Sequence, residues 1–81
     1  MVVVRLHGIL KEEVGLRELE VDGASLGEVL QKLPDKAREI LRKYSKYLVF
    51  LVSGRVIHDA GTPLKPEDVV DVTLFVGGGS V

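Results

Sequence analysis

One helical pattern, with strand patterns on both sides of it, constrains the fold of this 81-residue chain more than any other feature. Ser25 and Glu28 have the capping-box spacing at its start, where their side chains can accept hydrogen bonds from free backbone N–H groups. Pro34 interrupts the pattern, so we expect a break there and a further helical stretch after it. The apolar residues recur at spacings of three and four and share one face: Leu26, Val29, Leu30, Leu33, Ala37, Ile40 and Leu41. This face predicts one helical layer that covers the strands.

Two strand patterns precede the helical segment. Residues 2–7 and residues 16–21 both alternate between apolar and polar side chains, which is the pattern of half-buried strands. Gly8 ends the first alternation. We interpret the two runs as a hairpin whose connection is residues 8–15, "GILKEEVG".

Strand patterns also follow the helical segment. Residues 46–57 return to strand character, with Ser53-Gly54 as a tight hairpin turn, and residues 69–76 form the last strand. Helices between two groups of strands predict an α+β mixed sheet packed on one helical layer. This order is that of the β-grasp, or ubiquitin-like, fold, in which the first and last strands pair at the centre.

Composition excludes several kinds of site. Without cysteine the chain has no disulfide, no thiolate metal site and no internal thiol nucleophile. Its two histidines, His7 and His58, cannot supply the three or four ligands of a zinc site, so we expect no metal. The net charge of −1 and the lack of a run of ~20 apolar residues predict no nucleic-acid partner and no membrane span. We therefore expect a soluble, cytoplasmic domain.

The helical segment is strongly basic. Six of the eleven basic residues lie within residues 32–46: Lys32, Lys36, Arg38, Arg42, Lys43 and Lys46. Two interpretations stay open at this point. The stretch is either an ordinary solvated helix face or a docking surface for an acidic partner.

The chain ends on "VGGGSV", residues 76–81, after its last strand. We divide it into a domain of residues 1–76 and a flexible glycine tail of residues 77–81. The glycines are not a phosphate loop, because no helix follows them. Either they are a flexible spacer, or the tail is the functional group, since glycine backbone without Cβ can enter a channel too narrow for side chains.

Three stretches together resemble the ThiS/MoaD family of sulfur-carrier proteins: "SLGEVLQKL", "LVSGRVIHDAGTPLKPEDVVDV" and "LFVGGG". This family includes the small subunit of molybdopterin synthase, the thiamine-thiazole sulfur carrier and archaeal ubiquitin-like modifiers. The resemblance covers nearly the whole chain. It implies the β-grasp fold and a carrier that enzymes act upon, not an enzyme in its own right.

The resemblance also implies a chemistry for the tail. An E1-like enzyme would use its own ATP to adenylate a terminal glycine carboxylate, and the carrier itself would bind no cofactor. The carboxylate would become a thiocarboxylate for molybdopterin, thiamine or tRNA thiolation, or would be conjugated to target-protein lysines. The implied partners are the E1-like enzyme and either a synthase large subunit or a thiazole synthase.

The family position of the terminal glycine falls on Gly79, with Gly78 before it and Gly77 as an extension of the tail. Family members normally end on Gly-Gly, whereas Ser80 and Val81 follow here. Activation at Gly79 would therefore require removal of these two residues. If they are retained, the alternative is a β-grasp interaction module that never uses its carboxylate.

Phe75 is a candidate partner-binding residue. It alternates with Val72, Leu74 and Val76 on the last strand and should face away from the core. An aromatic residue on an open sheet face is a candidate binding hot spot, and its predicted companions include Val49 or Leu51. The alternative is that Phe75 packs against local side chains, and both interpretations stay open.

Overall fold

The computed structural model describes residues 1–75, which form three helices and five strands. The elements, in chain order, are β1 (Val2–Leu6), α1 (Ile9–Val14), β2 (Glu18–Val21), α2 (Leu26–Gln31), α3 (Asp35–Lys43), a 3₁₀ turn (Ser45–Tyr47), β3 (Leu48–Val52), β4 (Arg55–Ile57) and β5 (Val69–Leu74). The predicted tail, residues 77–81, lies outside the described residues.

The five strands form one mixed sheet in the order β2-β1-β5-β3-β4. The first and last strands pair in parallel at its centre, with Val4 opposite Val70 and Leu6 opposite Val72. The other neighbouring strands are antiparallel. The predicted β-grasp fold and its central pairing are therefore confirmed.

All three helices contribute to one core on one side of the sheet. Val2, Val4 and Leu6 of β1 and Val70 and Val72 of β5 are fully buried beneath them. The core residues that the helices supply are Leu10, Val14, Leu26, Val29, Ala37 and Leu41. No polar side chain is buried among residues 1–75. The helical layer thus covers one sheet face and leaves the other open.

The helix break at Pro34 is confirmed. Pro34 has extended backbone and precedes the first residue of α3. Ser25 caps α2, because its hydroxyl accepts a hydrogen bond from the Glu28 backbone N–H at 3.2 Å. The Glu28 carboxylate reaches back to the N–H of Ala24, one residue earlier than an ideal capping box.

The prediction that residues 8–15 are only a hairpin connection was wrong. The helix α1 lies there, with Leu10 and Val14 four residues apart on one face and both buried. Gly15 ends it in a left-handed conformation, with φ of 86°, and its N–H donates to the Lys11 carbonyl. Two apolar residues are too few for a sequence pattern to separate a short helix from a loop.

We expect Leu10→Ala to lower the free energy of unfolding by about 2–5 kcal/mol, because it leaves a cavity under α1. Urea denaturation followed by circular dichroism measures this change. Ile9→Ala is the matched control, since Ile9 is 42% exposed on the same helix and its truncation should cost less than about 1 kcal/mol. Equal losses for the two variants would contradict the packing of α1 described above.

Candidate functional site

The sheet face opposite the helices is the candidate site, and we call it the open face. Residues paired directly across neighbouring strands share a face, so the register assigns its members. They are Val3, Arg5, Glu18, Glu20, Val49, Leu51, Val56, Val69, Asp71 and Thr73. The open face therefore spans all five strands.

Phe75 follows β5 directly, and its side chain is 63% exposed. Its backbone N–H donates to the carbonyl of Tyr47 at 2.8 Å, which extends the pairing of β5 with β3 by one residue. Tyr47 is itself 51% exposed. The expected exposure of Phe75 is thus observed, whereas partner binding through it stays a prediction.

The structure places Val49 and Leu51 on the open face. Val49 lies opposite Thr73 and Leu51 lies opposite Asp71, on the strand next to β5. Val56 of β4 lies opposite Leu51 on the other side and is about half exposed. Strands β3, β4 and β5 form one half of the open face. This half is mainly apolar because of these side chains and Phe75.

The sequence analysis did not single out Val56, although a signal for it was present. The predicted two-residue turn is confirmed, because Ser53 and Gly54 both have positive φ, as a type I′ turn requires. Such a turn pairs Val52 with Arg55 and hence Leu51 with Val56. The turn and the strand register together would have placed Val56 beside Leu51.

The other half of the open face is charged. The Arg5 guanidinium lies 3.3 Å from the Glu18 carboxylate, and His7 Nε2 lies 2.8 Å from Asp71 Oδ1. Both pairs are substantially exposed, so they contribute little to the free energy of unfolding. The open face therefore changes in polarity across the sheet. Its charged side chains are concentrated at β1 and β2, and its apolar side chains lie towards Phe75.

A polar cluster on the helical side of the sheet joins α1 to the C-terminal end of α3. The Tyr44 hydroxyl donates to the Glu13 carboxylate at 2.5 Å, and Lys43 Nζ lies 3.3 Å from the same carboxylate. The hydrogen bond from Tyr44, with that from Lys43, lowers the pKa of Glu13 below 4.5 despite partial desolvation. The same carboxylate raises the pKa of Tyr44 and that of Lys43. These contacts connect α1 to the C-terminal end of α3.

We expect Glu13→Gln to lower the pKa of Tyr44, because it weakens the hydrogen bond that holds the hydroxyl proton and removes the anion that opposes tyrosinate formation. In a Tyr47→Phe background Tyr44 is the only tyrosine, so tyrosinate absorbance reports it alone. Folding raises the pKa of Tyr44, so its contact with Glu13 stabilises the folded state fully at pH values below the unfolded pKa of 10.0. This stabilisation is lost as the pH rises through the pKa that Tyr44 has in the folded state. Glu12→Gln is the matched control. A titration midpoint that Glu13→Gln leaves unchanged would contradict the contact.

The structure does not describe the glycines that are expected to carry the chemistry. Gly77, Gly78 and Gly79 are outside the described residues, so the structure does not test their assignment. The described chain ends at Phe75, beside Tyr47 and at the apolar half of the open face. A partner bound over Phe75 would therefore contact the chain only two residues before Gly77.

Neither a metal centre nor a membrane span is found in the described part of the chain. Among residues 1–75, no three His, Asp or Glu side chains converge as metal ligands. No helix within those residues has the length and apolar character needed to cross a membrane.

Comparison with protein families finds one that spans most of the chain. The model of the ThiS family matches residues 4–79. This match includes Phe75 and the three glycines, and it stops before Ser80. The search of curated proteins found no match.

Solved structures share the fold along almost the whole chain. One chain of the BexX/CysO complex of Amycolatopsis orientalis has a TM-score of 0.80 at 18% identity. The match covers 98% of this chain and 100% of that one. Small archaeal modifier protein 1 of Methanosarcina acetivorans has a TM-score of 0.78 at 27% identity, over 96% of this chain and 95% of that one. One chain of the complex of subunits 1 and 2 of the Helicobacter pylori molybdopterin-converting factor has a TM-score of 0.67 at 26% identity, over 96% and 97%.

Proposed function

This chain belongs to the ThiS family, and we propose that it is a sulfur carrier or ubiquitin-like modifier that acts through the carboxylate of Gly79. The observation that carries the proposal is the extent of the family match, which runs to residue 79 and leaves Ser80 and Val81 outside. Relatives above 25% identity include a protein described as a small archaeal modifier and a chain from a molybdopterin-converting factor. Both descriptions support a carrier or modifier role.

The proposed chemistry is a two-step activation by a partner enzyme. A carboxylate oxygen of Gly79 attacks the α-phosphorus of ATP, and pyrophosphate leaves to give an acyl-adenylate. Sulfide or the amine of a target lysine then attacks the acyl carbon, and AMP leaves. The product is a thiocarboxylate or an isopeptide. Glycine suits this role because it has no Cβ to collide with a narrow active-site channel.

The rest of the chain supports the role of carrier and not of catalyst. It has no cysteine, so any transported sulfur has to be held on the carboxylate. The apolar half of the open face is the proposed docking surface for the activating enzyme and for a synthase large subunit or a thiazole synthase. Two similar structures are of complexes, which supports assembly with a partner. ATP belongs to the activating partner in this scheme.

The proposal is tested by incubating the cognate E1-like enzyme and ATP with the intact chain and with a chain that ends at Gly79. We expect mass spectrometry to find the truncated form adenylated, thiocarboxylated or conjugated. The control is the same truncated chain with Gly79→Val, whose branched side chain should block entry into the channel. If neither the intact nor the truncated chain is modified, the proposal fails.

The rival function is an interaction module that keeps Ser80 and Val81 and never uses its carboxylate. It rests on the sequence after Gly79, because a chain that keeps Ser80 and Val81 presents the carboxylate of a branched residue in place of a glycine carboxylate. The mass of the mature protein from its native host separates the two functions. A chain that ends at Gly79 supports the carrier, whereas a chain that retains Val81 supports the module.

We expect Phe75→Ala to weaken binding to the activating enzyme by roughly 30-fold, the effect of losing a hot spot worth about 2 kcal/mol. Isothermal titration calorimetry measures the change. Leu16→Ala is the control, because Leu16 is an exposed apolar residue that lies outside the open face. Equal affinity of the Phe75 variant and the parent chain would show that Phe75 is not part of the docking surface.

A further inference from the structure

The helical layer leaves part of the core side of β3 uncovered. Every residue of β3 is only partly buried, unlike the inward-facing residues of β1. A groove of about 310 Å³ lies between this strand and the helices, and we call it the α3–β3 groove. Its main lining residues are Leu30, Arg38, Leu41, Arg42, Leu48 and Phe50. It is on the opposite side of the sheet from Phe75.

The lining combines an apolar floor with positive charge. Its apolar lining residues are Leu30, Leu41, Leu48 and Phe50, and Arg38 and Arg42 stand one helical turn apart on α3. Arg38 pairs with Asp35, whereas Arg42 makes no ion pair with any residue in the described range 1–75. An apolar slot with an exposed guanidinium is complementary to an apolar side chain flanked by carboxylates.

The backbone of β3 also has an open edge at this groove. Phe75 donates to Tyr47, so alternation along the antiparallel ladder directs the polar groups of Val49 and Leu51 towards β5. The backbone groups of the intervening residues point to the other side. There β4 pairs with β3 only from Phe50 onward, so among residues 1–75 Leu48 has no strand partner on that side.

We propose that the α3–β3 groove binds an extended acidic segment of a partner protein, which adds as a short strand beside Leu48. One large aliphatic side chain of the segment fills the space over Leu41 and Phe50, and its carboxylates pair with Arg42 and Arg38. Strand addition at a sheet edge supplies affinity through backbone hydrogen bonds, and the pocket supplies specificity. Of the two interpretations of the basic helix, this proposal selects a docking surface for an acidic partner.

Other occupants fit the groove less well. The acidic strand of a second copy, β2, has Val21 buried and Leu19 packed against its own core, so neither can serve as the apolar anchor. Nucleic acid would gain no overall attraction from a chain with a net charge of −1, and it would find only one aromatic side chain for base stacking, Phe50, among the lining residues. An acidic peptide needs only the local positive charge.

The test uses a capped heptapeptide in which Val-Ile-Val is flanked on each side by two aspartates. We expect binding with a dissociation constant on the order of 100 µM, as a small contact area allows. Amide chemical shifts should change at Leu41, Arg42 and Leu48, and hydrogen exchange at the Leu48 amide should slow. A peptide with lysine in place of aspartate should not bind.

Two matched variants separate a specific groove from general charge attraction. Arg42→Glu should weaken binding of the aspartate peptide about tenfold or more, since it turns an attraction into a repulsion. Lys36→Glu makes the same change of charge on the exposed side of α3, away from the groove, and should weaken binding less than about threefold at 0.15 M salt.

Several outcomes would overturn the proposal. They are no binding at millimolar peptide, equal effects of the two variants, or shifts concentrated on Thr73 and Phe75 of the open face. Concentration-dependent dimerisation with the same shifts, and without peptide, would assign the groove to a second copy and also overturn it. None of these outcomes bears on activation at Gly79, so the two proposals fail separately.

Discussion

The parallel pairing of β1 with β5 is the interaction on which the rest of this structure depends. It joins segments more than sixty residues apart in the sequence. Closing so long a loop costs conformational entropy, and the burial of apolar side chains at the sheet centre offsets this cost. Val4 lies opposite Val70 there, and neither has exposed surface. Leu6 lies opposite Val72, and only 1% of the surface of Leu6 is exposed. Because both strands are central, each has a neighbour on either side, and the two halves of the chain fold as one sheet.

This central position of β5 also sets the geometry of the candidate site. A strand that is fixed on both sides holds Phe75 in a defined orientation, with its backbone bonded to Tyr47. Phe75 is thus a fixed point at one edge of the open face. A carrier that presents a short tail to a partner needs such an anchor, since the position of the last fixed residue limits where the tail can reach. In the proposed function, docking and presentation of the tail would therefore depend on one strand.

The sequence predicted the elements whose side chains repeat often enough to show a period. Alternation placed Phe75 away from the core, and the helical spacing with Pro34 located α2 and α3. The helix α1 was missed because its burial rests on Leu10 and Val14 alone, and contact with α3 selects the helix over an irregular loop. The α3–β3 groove was equally hidden, since it results from where β4 ends relative to β3. Strand overlap is a tertiary property that composition and period do not encode.

The two proposed surfaces lie on opposite sides of one sheet, and this arrangement has a functional consequence. A partner that covers Phe75 leaves Arg42 and the α3–β3 groove accessible on the other side of the sheet, so the chain could be held by one protein while another acts on its tail. Strand β3 takes part in both surfaces, because Val49 and Leu51 face one side while Leu48 and Phe50 face the other. All five residues of this strand are partly buried, so both sets keep surface that a partner could contact.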